Sequence, residues 1–186
     1  TFTSLPYEEI DTSGRIMVSC KLWGVGGDGT VGANKNSVKI IGEATDKYTQ
    51  AYFYYDAKKS GGVTQSHLRF SDEPIHATYL VQSADFVAVH NAAYLEKFDV
   101  CRELKQGGTF LLNCRWSADQ LEEKLPASLK RQLAEKNARF YIIDASDIAL
   151  KLGLGSRTNT VLQAAFFQLA DIISMDVAVK AMKDAI

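Results

Sequence analysis

The sequence predicts an α/β protein, a three-layer Rossmann-like sandwich built on a largely parallel sheet with an added edge strand or hairpin. Short β-branched or aromatic runs alternate with amphipathic stretches along the chain, which is typical of a parallel sheet covered by helices. Most of the short runs are almost continuously apolar, as expected of strands buried on both faces. The 186 residues, 46% of them hydrophobic, are enough for one core, so we expect a single domain.

Five strands and one crossover helix form the predicted centre of the fold. The helix covers Thr30 to Ala44, where Val31, Val38 and Ile41 recur near helical spacing, and we expect it to pack on the sheet. Each strand is expected to be central or near-central. In chain order the strands are RIMVSCKLWG (15–24), QAYFYYD (50–56), DFVAVHN (85–91), GTFLLNC (108–114) and RFYIIDA (139–145).

Three further segments complete the predicted fold. The segment GGVTQSHLRFSDEPI (61–75) has no clean apolar face and begins with a glycine turn, so we predict an exposed strand or hairpin added to the sheet edge. The stretch from Asp119 to Lys136 has a strongly polar face that Pro126 interrupts. From Thr158 onward, an apolar stripe followed by VAVKAMKDAI predicts two closing helices.

Charge and composition exclude several classes of function. The formal net charge of -1 provides no basic field for nucleic acid or anionic lipid. No apolar run approaches the roughly 20 residues that span a bilayer, and the N-terminal TFTSLPYEEIDTSG lacks signal-peptide features, so we expect a soluble, cytoplasmic protein. The three cysteines and three histidines are widely scattered. We therefore expect buried free thiols and no metal site.

The stretch WGVGGDG (23–29) is the main functional signal. Gly24, Gly26 and Gly29 follow the order of the dinucleotide-binding fingerprint, between a predicted strand and a predicted helix. A glycine turn at a helix N-terminus presents unpaired backbone N–H groups and the positive end of the helix dipole. The loop from Gly26 to Thr30 is therefore a candidate anion site, with a plain tight turn or a contact to another domain as the alternatives.

Residues after the second strand narrow the choice of nucleotide. Asp56 lies roughly where an NAD-binding unit places its ribose-binding carboxylate. However, Asp28 inside the loop would repel a pyrophosphate, and Lys58, Lys59 and Ser60 follow Asp56 closely. Two lysines suit an additional ribose phosphate, as in NADP or the 3′-phosphorylated ADP end of coenzyme A. Charge alone leaves solvated surface lysines as an equal alternative.

Candidate catalytic residues are few. His67, His90 and Asp144 lie on or just beyond predicted strands, but no spacing brings two of them together. We assign no catalytic residue. The lack of a recognisable catalytic dyad also disfavours an independent NADP-dependent reductase.

Four longer blocks of the sequence are distinctive: WGVGGDGTVGANKNSVKIIG (23–42), YFYYDAKKSGGVTQSHLRF (52–70), ADFVAVHNAAYLEKFDV (84–100) and GLGSRTNTVLQAAFF (153–167). Together they resemble the gamma domain of pyruvate:ferredoxin (flavodoxin) oxidoreductase, in the 2-oxoacid oxidoreductase family. The resemblance covers nearly the whole chain and implies that residues 1–186 form a single gamma domain. Such a domain would be part of a longer multidomain chain or a separate subunit.

The resemblance also implies a function for the complete enzyme. Such an enzyme oxidatively decarboxylates pyruvate on thiamine diphosphate with Mg²⁺, passes electrons through [4Fe–4S] clusters to ferredoxin or flavodoxin, and releases acetyl-CoA. The thiamine diphosphate, the metal and the clusters would be bound outside this chain. The gamma domain would contact the other domains or subunits, recognise coenzyme A, and be inactive in isolation.

The site residues that the resemblance implies fall into two groups. The phosphate-facing loop corresponds to Gly26, Gly27, Asp28, Gly29 and Thr30, and the 3′-phosphate clamp to Lys58, Lys59 and Ser60. In this setting the carboxylate within the loop would accept hydrogen bonds from an adenine amine or a ribose hydroxyl, or would cap the following helix. The alternative is a purely structural interaction domain of the same assembly, with no small-molecule site of its own.

Overall fold

The protein is described by a computed structural model that covers residues 17–57 and 61–184. Within these ranges the chain forms six strands, six α-helices and a short 3-10 turn at Ala92–Tyr94. The strands are β1 Val18–Val25, β2 Tyr48–Tyr55, β3 Val63–Ser71, β4 Ala84–Val89, β5 Leu104–Asn113 and β6 Arg139–Ile143. The helices are α1 Thr30–Ala44, α2 Ala118–Lys124, α3 Ala127–Glu135, α4 Ala145–Lys151, α5 Asn159–Ala170 and α6 Met175–Asp184.

The strands form one mixed sheet in the order β2-β3-β1-β4-β5-β6. Strands β1, β4, β5 and β6 run parallel, whereas β3 is antiparallel to both of its neighbours. The predicted fold class is therefore confirmed, and the β2–β3 hairpin is the element added to the parallel part.

The positions of β2 and β3 within the sheet differ from the prediction. We expected residues 61–75 to be exposed at the sheet edge, but β3 lies between β1 and β2 and is mostly buried. The exposed edge strand is β2, which was expected to be central, and β6 forms the other edge. The polar pattern of β3 misled because its side chains are buried against protein partners: Ser66 Oγ accepts from Asn34 Nδ2 at 2.8 Å.

Helices cover both faces of the sheet, which confirms the three-layer arrangement. Helices α1, α5 and α6 pack on one face, where the Phe166 ring meets Phe70 and Phe86 at centroid distances of 6.4 and 5.5 Å. Leu125, α3 and the segment after β4 pack on the other face, around Val87 and Phe110. Fully buried aromatic rings from strands and helices thus hold the layers together.

The predicted helices are found, and one further helix was missed. Helix α1 has the predicted bounds, Pro126 separates α2 from α3, and α5 and α6 are the two closing helices. The missed helix is the seven-residue α4, which Asp144 caps by accepting from the Asp147 N–H at 3.0 Å. None of the helices in the described ranges combines the length and apolar character that crossing a bilayer requires.

Candidate functional site

The glycine loop lies at a topological switch point of the sheet. The loop follows β1, and from there the chain passes through α1 to β2, which lies on one side of β1 in the sheet. The chain that leaves the neighbouring strand β4 continues to β5, which lies on the opposite side. The parallel register pairs Trp23 with Val89, so the carboxyl ends of β1 and β4 end side by side. Ligands of open α/β sheets bind in the crevice at such a point.

Backbone conformation explains two of the glycines in the stretch 23–29, and close packing explains a third. Gly27 and Gly29 have φ values of +96° and +83°, in the left-handed region that favours glycine. A Cβ atom at Gly24 would lie only 2.7 Å from the Thr30 Cβ, so the strand end and the first turn of α1 approach too closely for a side chain. These contacts fix the loop against the helix.

Asp28 closes the loop with both of its carboxylate oxygens. Its Oδ2 accepts from the Val25 N–H and its Oδ1 from the Thr30 N–H, each at 2.8 Å. The Asp28 N–H donates in turn to the Val25 carbonyl at 3.0 Å. Of the two roles that the resemblance implied for this carboxylate, the structure shows capping of the helix that follows.

The loop retains free backbone donors. Among the described residues, no acceptor is found for the N–H groups of Gly27, Gly29, Val31 and Gly32. A Cβ atom placed at Gly27 or Gly32 would meet nothing within 4 Å, so the space next to these residues is open. Unpaired N–H groups at the N-terminus of a 15-residue helix favour an anion.

The turn between β2 and β3 is hydrogen-bonded directly to the glycine loop. The Gly26 N–H donates to the Gly62 carbonyl at 2.8 Å, and the Gly61 N–H donates to the Gly26 carbonyl at 3.2 Å. The predicted clamp residues Lys58, Lys59 and Ser60 lie outside the described residues, between Ala57 and Gly61. The chain that leads out of the clamp segment is therefore attached to the loop, and the clamp itself stays a prediction.

His90 is the site residue whose placement the sequence did not reveal. It follows β4, and its Nδ1 shares a hydrogen bond of 2.8 Å with Thr30 Oγ1 in the first turn of α1. Its Nε2 is buried and has no hydrogen-bond partner among the described residues. Burial lowers the pKa of His90 to about 4, although nearby Asp28 raises it, so the ring is neutral at pH 7. Finding this contact requires knowing that β4 lies next to β1.

The other candidate catalytic residues lie elsewhere. His67 lies within β3, opposite Lys21 of β1, and Asp144 caps α4. His67, His90 and Asp144 therefore do not come together as a catalytic dyad or triad.

Metal-binding and thiol chemistry find no support in the described part of the chain. There, no group of three or more His, Cys, Asp or Glu side chains could hold a metal ion. All three cysteines are free and buried, as expected. Burial raises the pKa of the Cys101 thiol to about 11, which keeps it protonated at neutral pH.

Replacing Gly29 with alanine should lower the free energy of unfolding by about 1–2 kcal/mol, because a left-handed backbone disfavours a Cβ atom. That atom would also lie 3.0 Å from the Asn159 side chain at the start of α5. Gly32→Ala is the matched control, since Gly32 lies within α1, lacks a positive φ and has open space around it. Urea unfolding of both variants measures the difference. Equal effects would contradict the loop geometry.

Comparison with known sequences gives consistent matches. The family model described as pyruvate ferredoxin/flavodoxin oxidoreductase matches residues 19–186. The chain is 54% identical over 188 residues to the pyruvate-flavodoxin oxidoreductase of Enterobacter agglomerans. It is 53% identical over 187 residues to the pyruvate:ferredoxin oxidoreductase of Moorella thermoacetica. All of the chain is matched in both cases, but it spans only 16% of the length of each relative.

Solved structures share the fold. The pyruvate oxidoreductase subunit PORC of Thermotoga maritima superposes with a TM-score of 0.71 at 21% identity, covering 92% of this chain and 86% of that subunit. A 2-oxoglutarate:ferredoxin oxidoreductase of Magnetococcus marinus, solved with 2-oxoglutarate, coenzyme A and succinyl-CoA bound, gives a TM-score of 0.67 at 18% identity. That match covers 92% of this chain and 27% of the other.

Proposed function

The chain belongs to the pyruvate ferredoxin/flavodoxin oxidoreductase family, and from this membership we propose that it contributes coenzyme A binding and inter-domain contacts to such an enzyme. The complete enzyme would convert pyruvate, coenzyme A and an oxidised acceptor into acetyl-CoA, CO₂ and the reduced acceptor, which is ferredoxin or flavodoxin. Other domains or subunits would hold thiamine diphosphate, Mg²⁺ and the [4Fe–4S] clusters. This chain alone would be inactive.

One observation carries the coenzyme A assignment. The free N–H donors of the glycine loop lie at the switch point, and the β2–β3 turn is hydrogen-bonded to the same loop. An anion held by the loop would therefore lie close to Gly61 and Gly62, which directly follow the predicted clamp in the sequence. The coenzyme A bound to the structurally similar 2-oxoglutarate enzyme also supports this assignment.

Two groups of residues would divide the contacts to coenzyme A. Gly27 and Gly29 would face the diphosphate through their free backbone N–H groups, while Asp28 holds the loop in shape. The N–H groups of Gly26 and Thr30 are already bonded to the Gly62 carbonyl and to Asp28, so these two residues would line the site without donating to the diphosphate. The 3′-phosphate would bind the clamp of Lys58, Lys59 and Ser60. The free, buried cysteines suit a reducing compartment, so we place the enzyme in the cytoplasm.

Isothermal titration with coenzyme A, dephospho-CoA and NADP tests the clamp. Loss of the 3′-phosphate should weaken binding by about 1–3 kcal/mol, roughly 5- to 150-fold, because charge-assisted hydrogen bonds are lost. A Lys58→Gln, Lys59→Gln double variant should bind coenzyme A and dephospho-CoA equally, whereas Lys39→Gln on α1 serves as the exposed control. Equal affinities in the unmodified protein would eliminate the clamp.

The alternative function, a purely structural domain, predicts a different outcome. In that case the glycine loop would pack against a neighbouring domain, and no nucleotide would bind at it in the chain or in the complete enzyme. Binding of coenzyme A that depends on the two lysines would exclude this alternative.

A further inference from the structure

We propose that His90 is a positioning residue of the glycine-loop anion site and that it acts through Thr30. The histidine ring holds the first turn of α1, so that the free N–H groups of Gly29 and Val31, on either side of Thr30, keep a fixed direction. The inference rests on the proposed function, because it takes this loop to bind the diphosphate of coenzyme A. It adds to the site a residue that does not itself contact the ligand.

The Thr30 side chain lies behind the glycine loop, in the protein interior. Thr30 is only 1% exposed, and a Cβ atom at Gly24 would lie 2.8 Å from its Oγ1. The hydroxyl group therefore lies against the end of β1, and a hydrogen bond of 2.8 Å joins it to the His90 ring. A side chain buried in this place contributes to a ligand site by fixing the backbone that carries it.

The backbone of His90 is held by strands on both sides of β4. Its N–H donates to the Trp23 carbonyl of β1 at 2.9 Å, and its carbonyl accepts from Asn113 Nδ2 of β5 at 3.0 Å. Asn113 is fixed in turn, because its Oδ1 accepts from the Ala145 N–H at the start of α4. The His90 ring is thus anchored to the centre of the sheet, and supporting residues on such rigid elements hold a site most precisely.

The hydrogen-bond pattern assigns the proton of the His90 ring. A neutral imidazole has one donor nitrogen and one acceptor nitrogen. If the Thr30 hydroxyl donates to Nδ1, the ring proton lies on Nε2, and only this buried nitrogen lacks a partner among the described residues. In the other tautomer both Nε2 and the hydroxyl proton would lack one. Because unpaired buried polar groups are costly, Thr30 donates and His90 accepts.

Fixing Thr30 orients the backbone donors next to it. The Thr30 N–H donates to Asp28 Oδ1, so the loop holds this residue by its backbone while the sheet holds it by its side chain. The preceding Gly29 has a φ of +83°, and glycine has more conformational freedom than other residues. The peptide unit between them therefore depends on such contacts for a single orientation. Donors that are ordered before the ligand arrives lose less conformational entropy on binding.

The geometry favours this indirect role over direct contact of His90 with a ligand. Nδ1 is occupied by the Thr30 hydroxyl, and Nε2 is buried. The contribution of the ring to the site is therefore its bond to Thr30.

Binding of coenzyme A to the complete oxidoreductase tests the proposal. Isothermal titration of His90→Leu and Thr30→Val should give dissociation constants about 2- to 10-fold higher than that of the unmodified enzyme, because each change removes the hydrogen bond. His90→Asn keeps an acceptor oxygen near the position of Nδ1 and should largely restore the affinity. His76→Gln, at an exposed histidine, is the control. An unchanged dissociation constant in His90→Leu would overturn the proposal.

A double variant distinguishes positioning from a purely structural role. If His90 acts through Thr30, His90→Leu combined with Thr30→Val should weaken binding no more than either change alone. Losses that multiply would mean that the two residues act independently, which would overturn the proposal. A residue that only stabilised the fold would lower the free energy of unfolding and leave the dissociation constant unchanged.

Hydrogen exchange without coenzyme A separates this inference from the proposed function. The amides of Thr30 and Ala33, which donate to Asp28 Oδ1 and to the Gly29 carbonyl, should exchange several-fold faster in His90→Leu than in the unmodified enzyme. Unchanged exchange would overturn the positioning role even where coenzyme A binds. Failure of the unmodified enzyme to bind coenzyme A would remove the proposed function, and exchange alone would then decide whether His90 holds the loop.

Discussion

Replacing Asp28 with alanine should lower the free energy of unfolding by about 3 kcal/mol. The carboxylate accepts two backbone hydrogen bonds of 2.8 Å, and each charge-assisted bond of this kind contributes roughly 1.5–3 kcal/mol. We take the lower limit for each because the side chain is half-buried. A negative charge near the N-terminus of α1 also interacts favourably with the helix dipole. Urea unfolding at pH 7 measures the loss.

Asp28→Asn is the matched control for this prediction. It keeps one acceptor oxygen and removes the charge, so we expect it to lose about half as much stability. If the alanine variant were as stable as the unmodified protein, the carboxylate would not cap the helix in solution. It would then be available for the adenine or ribose contact that the resemblance also allowed.

Lowering the pH from 6.5 to 4 should destabilise the protein through His67 and His90, by up to about 3 kcal/mol for each histidine. Both folded pKa values are lowered to about 4. Above pH 6.5 both the folded and unfolded rings are neutral. Between pH 6.5 and 4 only the unfolded state takes up the proton, so the free energy of unfolding decreases as the pH is lowered. Below pH 4 this contribution to stability is fully lost.

Glutamine variants separate this effect from the titration of carboxylates. His67→Gln and His90→Gln remain neutral at every pH, so each should flatten the decline in stability between pH 6.5 and 4. His76→Gln, at an exposed histidine, is the control. Unfolding free energies measured at several pH values give the slopes. Slopes identical to that of the unmodified protein would contradict the burial of the two rings.

Local sequence signals predicted the elements better than their positions in the sheet. Helix α1 has the predicted bounds because glycines precede it and its apolar residues keep helical spacing throughout. The position of β3 was wrong because its polar side chains find partners that are distant in sequence, such as Asn34 for Ser66 and Gln50 for Arg69. Strand order depends on such long-range pairs, which periodicity does not contain.

The candidate site shows the same division between local and distant contacts. The turn geometry of Gly27 and Gly29 involves neighbours along the chain, and the glycine pattern indicated it. Asp28 also contacts only near neighbours, but its capping role was one of two that the resemblance implied. The contact between Thr30 and His90 spans 60 residues, so it could not be derived without the pairing of β1 with β4. Helix α4 was missed because seven residues are too few to show a helical period.

The most direct test of the coenzyme A site is an NMR titration of the isotope-labelled chain, which detects binding even at millimolar affinity. The proposal predicts saturable shifts of the amides of residues 26–30 and of residues 56–62, and the shifts of residues 56–62 should be weaker with dephospho-CoA. Shifts confined to another surface would contradict it. One such surface is the ≈ 320 Å³ cleft lined by Leu95, Phe98 and Leu129. The absence of any shift at the glycine loop would contradict the proposal equally.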